Sequence, residues 1–282
     1  MQSTKTVLKT VTGFPVLLEK VNTLSPEDVR DLIRRPAKTS CSLDPMPTTL
    51  VTQCLDELTP VLTDMINTSL QSGRFAEKWK DALVTPLLKQ PGLEQKKVNL
   101  RPESNLAYVS KLTAAATKLE KHMLENRLYP SHQSSYREHH STETALLQVR
   151  DDILLDMNSQ QVTLLVFLDF SAVFDTVNHS MLLRVVRNRL GVGGTVLAWL
   201  GSYLSGRSQR IIVDGIWSRT YQLNSGVPQD SCLGPLLFNI YVSGLFDIVS
   251  SHAPVAVHAY ADDFQVYLSS SPSSSANVEQ AG

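Results

Sequence analysis

The stretch VAVHAYADDFQVYL, Val255 to Leu268, decides how the rest of the chain is read. Two short apolar, β-prone runs flank Tyr260-Ala261-Asp262-Asp263, a pattern that predicts two strands around an acidic turn. Asp is a common turn residue, so either carboxylate alone has an ordinary structural explanation. That explanation is weaker for the pair. Adjacent carboxylates repel each other and gain nothing from packing, while Tyr260 and Ala261 keep the turn tight and partly apolar. A third acid, Asp169, ends another apolar run, VTLLVFLD, residues 162–169. If the two strand ends lie side by side in one sheet, Asp169, Asp262 and Asp263 converge. Such a cluster calls for divalent cations, and hard oxygen ligands suit Mg²⁺. Two ions held together can activate an attacking hydroxyl and stabilise the leaving oxygens of a nucleotidyl transfer. Asp151-Asp152 serves as a contrast: it sits in an amphipathic helical pattern and is predicted to be a solvated helix face.

Outward from the acids, helical and strand patterns alternate irregularly. Ser25-Pro26-Glu27-Asp28 is a helix start, with Ser25 as cap, Pro26 at the first helical position and Asp28 completing a capping box. Apolar residues from Leu50 to Leu70 continue a helical pattern that Pro60 is expected to kink or divide and Gly73 to end. Residues 79–106 read as short strands and turns, and helical period returns at 112–128 and 145–157. Ser180 to Leu190 reads as a helix closed by Gly191. Next comes a hairpin, QRIIV, Asp214-Gly215 and IWSRTYQL, then a mostly buried helix from Leu233 to Val249. At least two hairpins among irregularly placed helices favour an α+β layer architecture over a doubly wound parallel sheet. The Ser-rich tail from Ser269 is expected to be disordered.

At 282 residues, 42% hydrophobic and 19% charged, the chain reads as soluble and globular. A net charge of -1 is neutral on nucleic acid, but five arginines fall between Arg184 and Val213 with no acid among them. That density suits a surface meeting phosphates, although solvated helix faces explain it too. Cys41, Cys54 and Cys232 lack any paired spacing, so neither a zinc site nor a disulfide framework is expected. The N-terminus has no apolar core of a secretory signal, and Val162 to Leu168 is too short to span a bilayer. An intracellular protein away from membranes is expected.

The acidic turn Tyr260-Ala261-Asp262-Asp263 resembles the metal-binding turn of reverse transcriptases, most of all those of non-LTR, LINE-like retrotransposons. Phe167 to His179 (FLDFSAVFDTVNH) looks like that family's first-Asp motif, and Gly226 to Pro235 (GVPQDSCLGP) like its template and nucleotide motif. Asn99-Leu100-Arg101-Pro102 resembles the fingers segment, and Gln133 to Arg137 with His140 to Glu143 resembles the next block. Leu43 to Pro47 and Ala82 to Lys89 read like the lead-in to the domain. The resemblance runs in the family's order over residues 25 to 268.

It implies the fingers and palm of a right-hand polymerase, an antiparallel palm sheet with packed helices. The expected organisation is a helical lead-in at 1–78, a fingers-like region at 79–160, a palm at 161–268 and a Ser-rich tail at 269–282. By resemblance, Asp169, Asp262 and Asp263 would be catalytic and would bind two Mg²⁺ ions, with Mn²⁺ able to substitute. Phe174 would be the steric gate that rejects a 2′-hydroxyl, where the plainer reading is a core ring beside a strand. Arg101, Lys89 and Arg137 would face triphosphate or template, and Gly226 and Gln229 would sit near the template base and nucleotide. The implied partners are an RNA template, a DNA primer and deoxynucleoside triphosphates. No oligomeric state is implied.

The chain departs from the family pattern in places. Asp230 stands where the family usually has Gly, which brings a Cβ and a negative charge toward a triphosphate. Glu103 and Glu138 also place acid near expected phosphate contacts. The family's later palm segments and thumb are not seen after Leu268, nor is an endonuclease domain seen before the fingers, so a truncated or decaying copy, or an incomplete gene model, is expected. An RNA-directed DNA polymerase fragment, a binding module for nucleic acid or a partner without catalysis, and a remnant with no selected function therefore all remain open.

Overall fold

Caps and apolar spacing decide where the first helices begin and end. A computed structural model describes residues 18–34, 41–45, 47–96, 99–137, 139–170, 173–228, 231–252 and 254–272. Helix α1 (Pro26–Arg34) starts at the expected capping box: the Asp28 amide donates to Ser25 Oγ at 3.2 Å, and the Ser25 amide donates to Asp28 Oδ2 at 2.9 Å. Hydrogen bonds from the Ser25 amide and then the Ser25 hydroxyl hold the Asp28 carboxyl below its ordinary range. Val29 and Ile33 are the buried face. The next apolar pattern forms two helices, α2 (Thr48–Gln53) and α3 (Leu55–Ser72), divided at Cys54 and not at Pro60. Pro60 lies inside α3 on its exposed face, where water can take the carbonyl that a missing N–H leaves unserved. Gly73 ends α3 as expected, at φ 66°, with the Arg74 amide donating back to the Ser69 carbonyl.

The strand-like residues 79–106 form an antiparallel pair, β1 (Asp81–Leu88) and β2 (Leu100–Leu106). Pro86 and Pro102 face each other in that register. Neither can donate to a ladder, and Pro86 lies beyond Val84, where the pairing of β1 with its other neighbour stops. Helices α4 (Tyr108–Ala115) and α5 (Leu119–Glu125) follow.

Chain packing gathers two units that are not consecutive in sequence: Met1–Leu128 with Val177–Gly234, and Tyr129–Thr176 with Pro235–Gly282. In the first unit belong also α6 (His179–Leu190) and α7 (Gly194–Leu204), followed by β3 (Arg207–Val213), β4 (Ile216–Trp217) and β5 (Tyr221–Leu223). Its sheet has the order β2-β1-β3-β4, with β5 also paired to β3. The β1 and β3 strands run parallel, Asp81 opposite Ser208. Asp214 and Gly215 form the expected tight turn, both at positive φ, as a primed hairpin turn requires. Phe75 packs edge to face on Trp199 and Tyr203 at centroid distances of 5.3 and 5.1 Å, and Trp199 Nε1 donates to Ser69 Oγ.

Arg207 corrects the reading of the arginine run as surface. It is buried, stacked 4.9 Å over the Tyr203 ring, and donates to the Tyr203 carbonyl at 3.0 Å. Burial pulls its guanidinium below the ordinary value.

The second unit holds α8 (Thr142–Asn158), β6 (Val162–Asp169), the short α9 (Val173–Thr176), α10 (Gly234–Ser250), β7 (Ala256–Tyr260) and β8 (Asp263–Ser270). Its three strands form an antiparallel sheet, β6-β8-β7. One face packs on α10 through Phe246, Val257, Ala259 and Phe264. Helix α8 meets the other face, where Tyr267 Oη and Ser269 Oγ donate to the carboxylates of Asp152 and Asp156. Asp152 is therefore not the solvated acid its helical pattern suggests; Asp151 is, paired with Arg150. Burial and the Asp152 carboxylate push the Tyr267 phenol well above its ordinary value. The β6 strand is the sheet's edge, and its apolar residues are largely exposed. Both sheets with their helices make a mixed α+β fold. Ser269 and Ser270, expected in a disordered tail, instead end β8; residues 1–17 and those from 273 lie outside the described residues.

Candidate active site

Register brings the acids together. Asp169, last residue of β6, is directly opposite Asp263, first residue of β8. Directly opposed residues of an antiparallel pair have Cβ atoms roughly 4.5–5.5 Å apart. Asp263 is also opposite Tyr260 of β7, which leaves Ala261 and Asp262 as a two-residue loop. All three acids thus stand at one end of one sheet, on and beside the face whose far end meets α8. Burial, then Asp262, then Asp169 push the Asp263 carboxyl above its ordinary range. A cation would relieve that repulsion, and the donor set is all hard oxygen, so the residues fit Mg²⁺. Among the described residues, no group of three or more His, Cys, Asp or Glu side chains is closed up as a ready-made metal cage.

The loop bearing Asp262 is tightly held. Ala261 takes a left-handed φ of 56° and is buried. Its amide donates to Gln133 Oε1 at 3.0 Å, and its carbonyl accepts from Gln133 Nε2 at 3.1 Å. Gln133 is fully buried and belongs to a short segment that runs along β7. There the Ala259 amide donates to the His132 carbonyl at 2.8 Å, and the Ser134 amide to the Ala259 carbonyl at 2.9 Å. Ser134 Oγ lies 3.0 Å from His258 Nε2. The block from Gln133 to Arg137 resembles a family motif, yet nothing in its residue types separates a buried clip from a surface amide.

The other expected residues fall elsewhere. Phe174, in α9, is half-buried and packs on the Phe238 ring of α10 at 4.7 Å. Arg137 Nη1 donates to the Pro130 and Gln133 carbonyls at 3.2 and 3.1 Å, and its guanidinium lies over the Tyr129 ring. It works at least in part as a strut for its own loop. Lys89, Arg101 and Gly226 belong to the first unit. Lys89 and Arg101 are exposed at the tip of the β1–β2 hairpin, where Arg101 faces Leu87 and the Lys89 amide donates to the Asn99 carbonyl. The Gly226 amide donates to the Val177 carbonyl at 2.8 Å, and its own carbonyl is 2.7 Å from His179 Nε2. Gln229, Asp230 and Glu138 lie outside the described residues. No helix among the described residues is long and apolar enough to cross a membrane.

Comparison with known proteins gives a consistent picture. Residues 89–280, more than half of the chain, match the family described as reverse transcriptase (RNA-dependent DNA polymerase). The probable RNA-directed DNA polymerase from transposon BS of Drosophila melanogaster is 30% identical over 216 residues, covering 72% of this chain and 23% of that protein. The RNA-directed DNA polymerase from mobile element jockey of the same organism is 28% identical over 262 residues, 86% of this chain and 27% of that protein. The chain spans about a quarter of the length of these curated relatives.

Proposed function

This chain belongs to the reverse transcriptase (RNA-dependent DNA polymerase) family, and from that premise we propose that it carries the nucleotidyl-transfer core of an RNA-directed DNA polymerase of retrotransposon origin. The observation that carries the reading is the opposition of Asp169 and Asp263 across β6 and β8, with Asp262 on the adjoining turn. Asp169, Asp262 and Asp263 would hold two Mg²⁺ ions, with Mn²⁺ able to substitute, and so set the charge around the reacting phosphate. Bound there, the metal supplies Lewis acidity toward a primer hydroxyl and the leaving pyrophosphate. The carboxylates orient the site: Asp169 and Asp263 are fixed in backbone position by ladder register, and Asp262 sits in the tight loop between β7 and β8. Phe174 would lie beneath the incoming sugar and exclude a 2′-hydroxyl. Arg101 and Lys89 would meet phosphates, where a guanidinium fork and an ammonium suit anionic oxygens. Arg137, Gly226 and Gln229 would line the nucleotide and template side. In this reading the second unit is palm and the β1–β2 hairpin is fingers.

The test is extension of a DNA primer on an RNA template by the purified chain with Mg²⁺ and deoxynucleoside triphosphates. Extension by the parent that Asp262→Asn abolishes supports the assignment; equal extension by both sinks it. A second reading, a nucleic-acid-binding module without catalysis, is favoured by Asp230, whose charge would repel a triphosphate. Retained binding of the primer–template without extension, with extension restored by Asp230→Gly, would select it.

A further inference from the structure

A residue that is not glycine at φ 56° meets its own Cβ against the following carbonyl, so such a conformation persists only where its surroundings hold it. Ala261 is in that state within a two-residue loop, and the groups that hold it come from far away in sequence. The Gln133 side-chain amide grips both polar groups of Ala261, accepting from its N–H and donating to its carbonyl. The same Oε1 accepts from the Ser135 amide at 3.2 Å and from Ser135 Oγ at 3.0 Å, which fixes the amide's orientation. Gln133 is itself anchored. Arg137 holds the Gln133 carbonyl, and Asn239 of α10 donates to the Ser135 carbonyl at 3.1 Å. The backbone of 132–134 pairs with Ala259 but cannot follow the chain round the hairpin; the Gln133 side chain carries the pairing two residues further.

We propose that Gln133 is a positioning residue for the acid-bearing turn, holding Ala261 left-handed so that Asp262 and Asp263 keep the spacing a divalent ion needs. The consequence for the ion rests on the reading of these acids as metal ligands; the clip itself does not. Gln133 touches no substrate in this account and acts through the Ala261 peptide groups.

Two readouts on the full chain test it. Residue-resolved hydrogen exchange of the parent, without metal, should show a protected Ala261 amide although it sits in a loop; exchange as fast as an open amide overturns the clip. In Gln133→Met, of similar volume but without the amide, Ala261 exchange should accelerate. Mn²⁺ affinity, followed by electron paramagnetic resonance, should fall roughly ten- to a hundred-fold, the range for losing a partner that orients metal ligands. Adding Ala261→Gly should recover much of that affinity, because glycine takes this φ without strain. A general loss of packing would not be repaired by a change in the turn. Unchanged exchange at Ala261 in Gln133→Met, or no recovery in the double variant, overturns the proposal. Should the parent protect Ala261 yet bind no Mn²⁺, the metal-site reading fails and the clip stands.

Discussion

A carboxylate placed opposite another across a strand pair is a liability unless something is meant to lie between them. Like charges directly opposed in a sheet destabilise it by up to about 1 kcal/mol. Asp169→Asn should therefore raise the thermal midpoint at neutral pH by a few degrees while abolishing any upward shift caused by Mn²⁺. A midpoint that drops, or a Mn²⁺ shift that persists, would count against the acids as a charge cluster. Phe174 poses a different question, since its contact with Phe238 explains the ring without any substrate. Phe174→Val should raise the ratio of ribonucleotide to deoxynucleotide incorporation in primer extension, and an unchanged ratio would reduce the ring to packing. His258 gives the pH signature. Burial, then His132, pulls its imidazole below the ordinary 6.5; Asp152 opposes this, and His140 adds to it. The unfolded chain then takes up the proton before the folded one, so stability should fall as pH drops below about 6.5 and level off below the folded value. Urea midpoints between pH 7.5 and 5.5 should show this slope in the parent and a flatter one in His258→Gln. At this scale the acids were legible because charge at the end of an apolar strand is unusual. Gln133 and Arg207 were not, because both residue types are surface by default and only the tertiary fold shows them buried.

Elements announced themselves where local chemistry leaves no choice. Gly73 and Asp214-Gly215 take positive φ, and each was readable as a stop or a turn. Gly73→Ala should destabilise the first unit by about 1–2 kcal/mol from the left-handed backbone alone. A new Cβ would also come within 3.2 Å of Ala198 Cβ and the Thr195 carbonyl, so the loss should not be smaller. Chemical denaturation reads this directly; an unchanged midpoint would mean that α3 ends differently in solution. Two elements resisted sequence reading. Helix α7, GTVLAWLGSYL, is apolar nearly all round, with Trp199, Leu200, Tyr203 and Leu204 buried, so it has little polar face to reveal a period. Pro60 carried a strong helix-breaking signal yet does not divide α3, because it lies on the exposed face, where water can serve the carbonyl one turn back.

For the whole molecule, pattern and composition were enough for a mixed α+β fold, but not for its interleaving. The second unit closes only when residues 129–176 meet those after 234, and the first only when 177–234 return to the first 128. No local signal reports such a return. A fragment of residues 1–128 should therefore lack cooperative unfolding, since β1 loses its parallel neighbour β3 and α3 loses the α7 helix it packs on. Adding residues 177–234 in trans should restore a cooperative transition in circular dichroism. A sharp transition in the fragment alone would show that its sheet needs no such partner. The same parallel pairing bears on how the protein is made. Asp81 waits for Ser208, 127 residues later in the chain. At ribosomal speeds of about 5–20 residues per second, β1 is out on the order of ten seconds before its partner exists. For that interval β1, with Ala82, Leu83 and Val84 destined for the core, has β2 on one edge and no strand on the other.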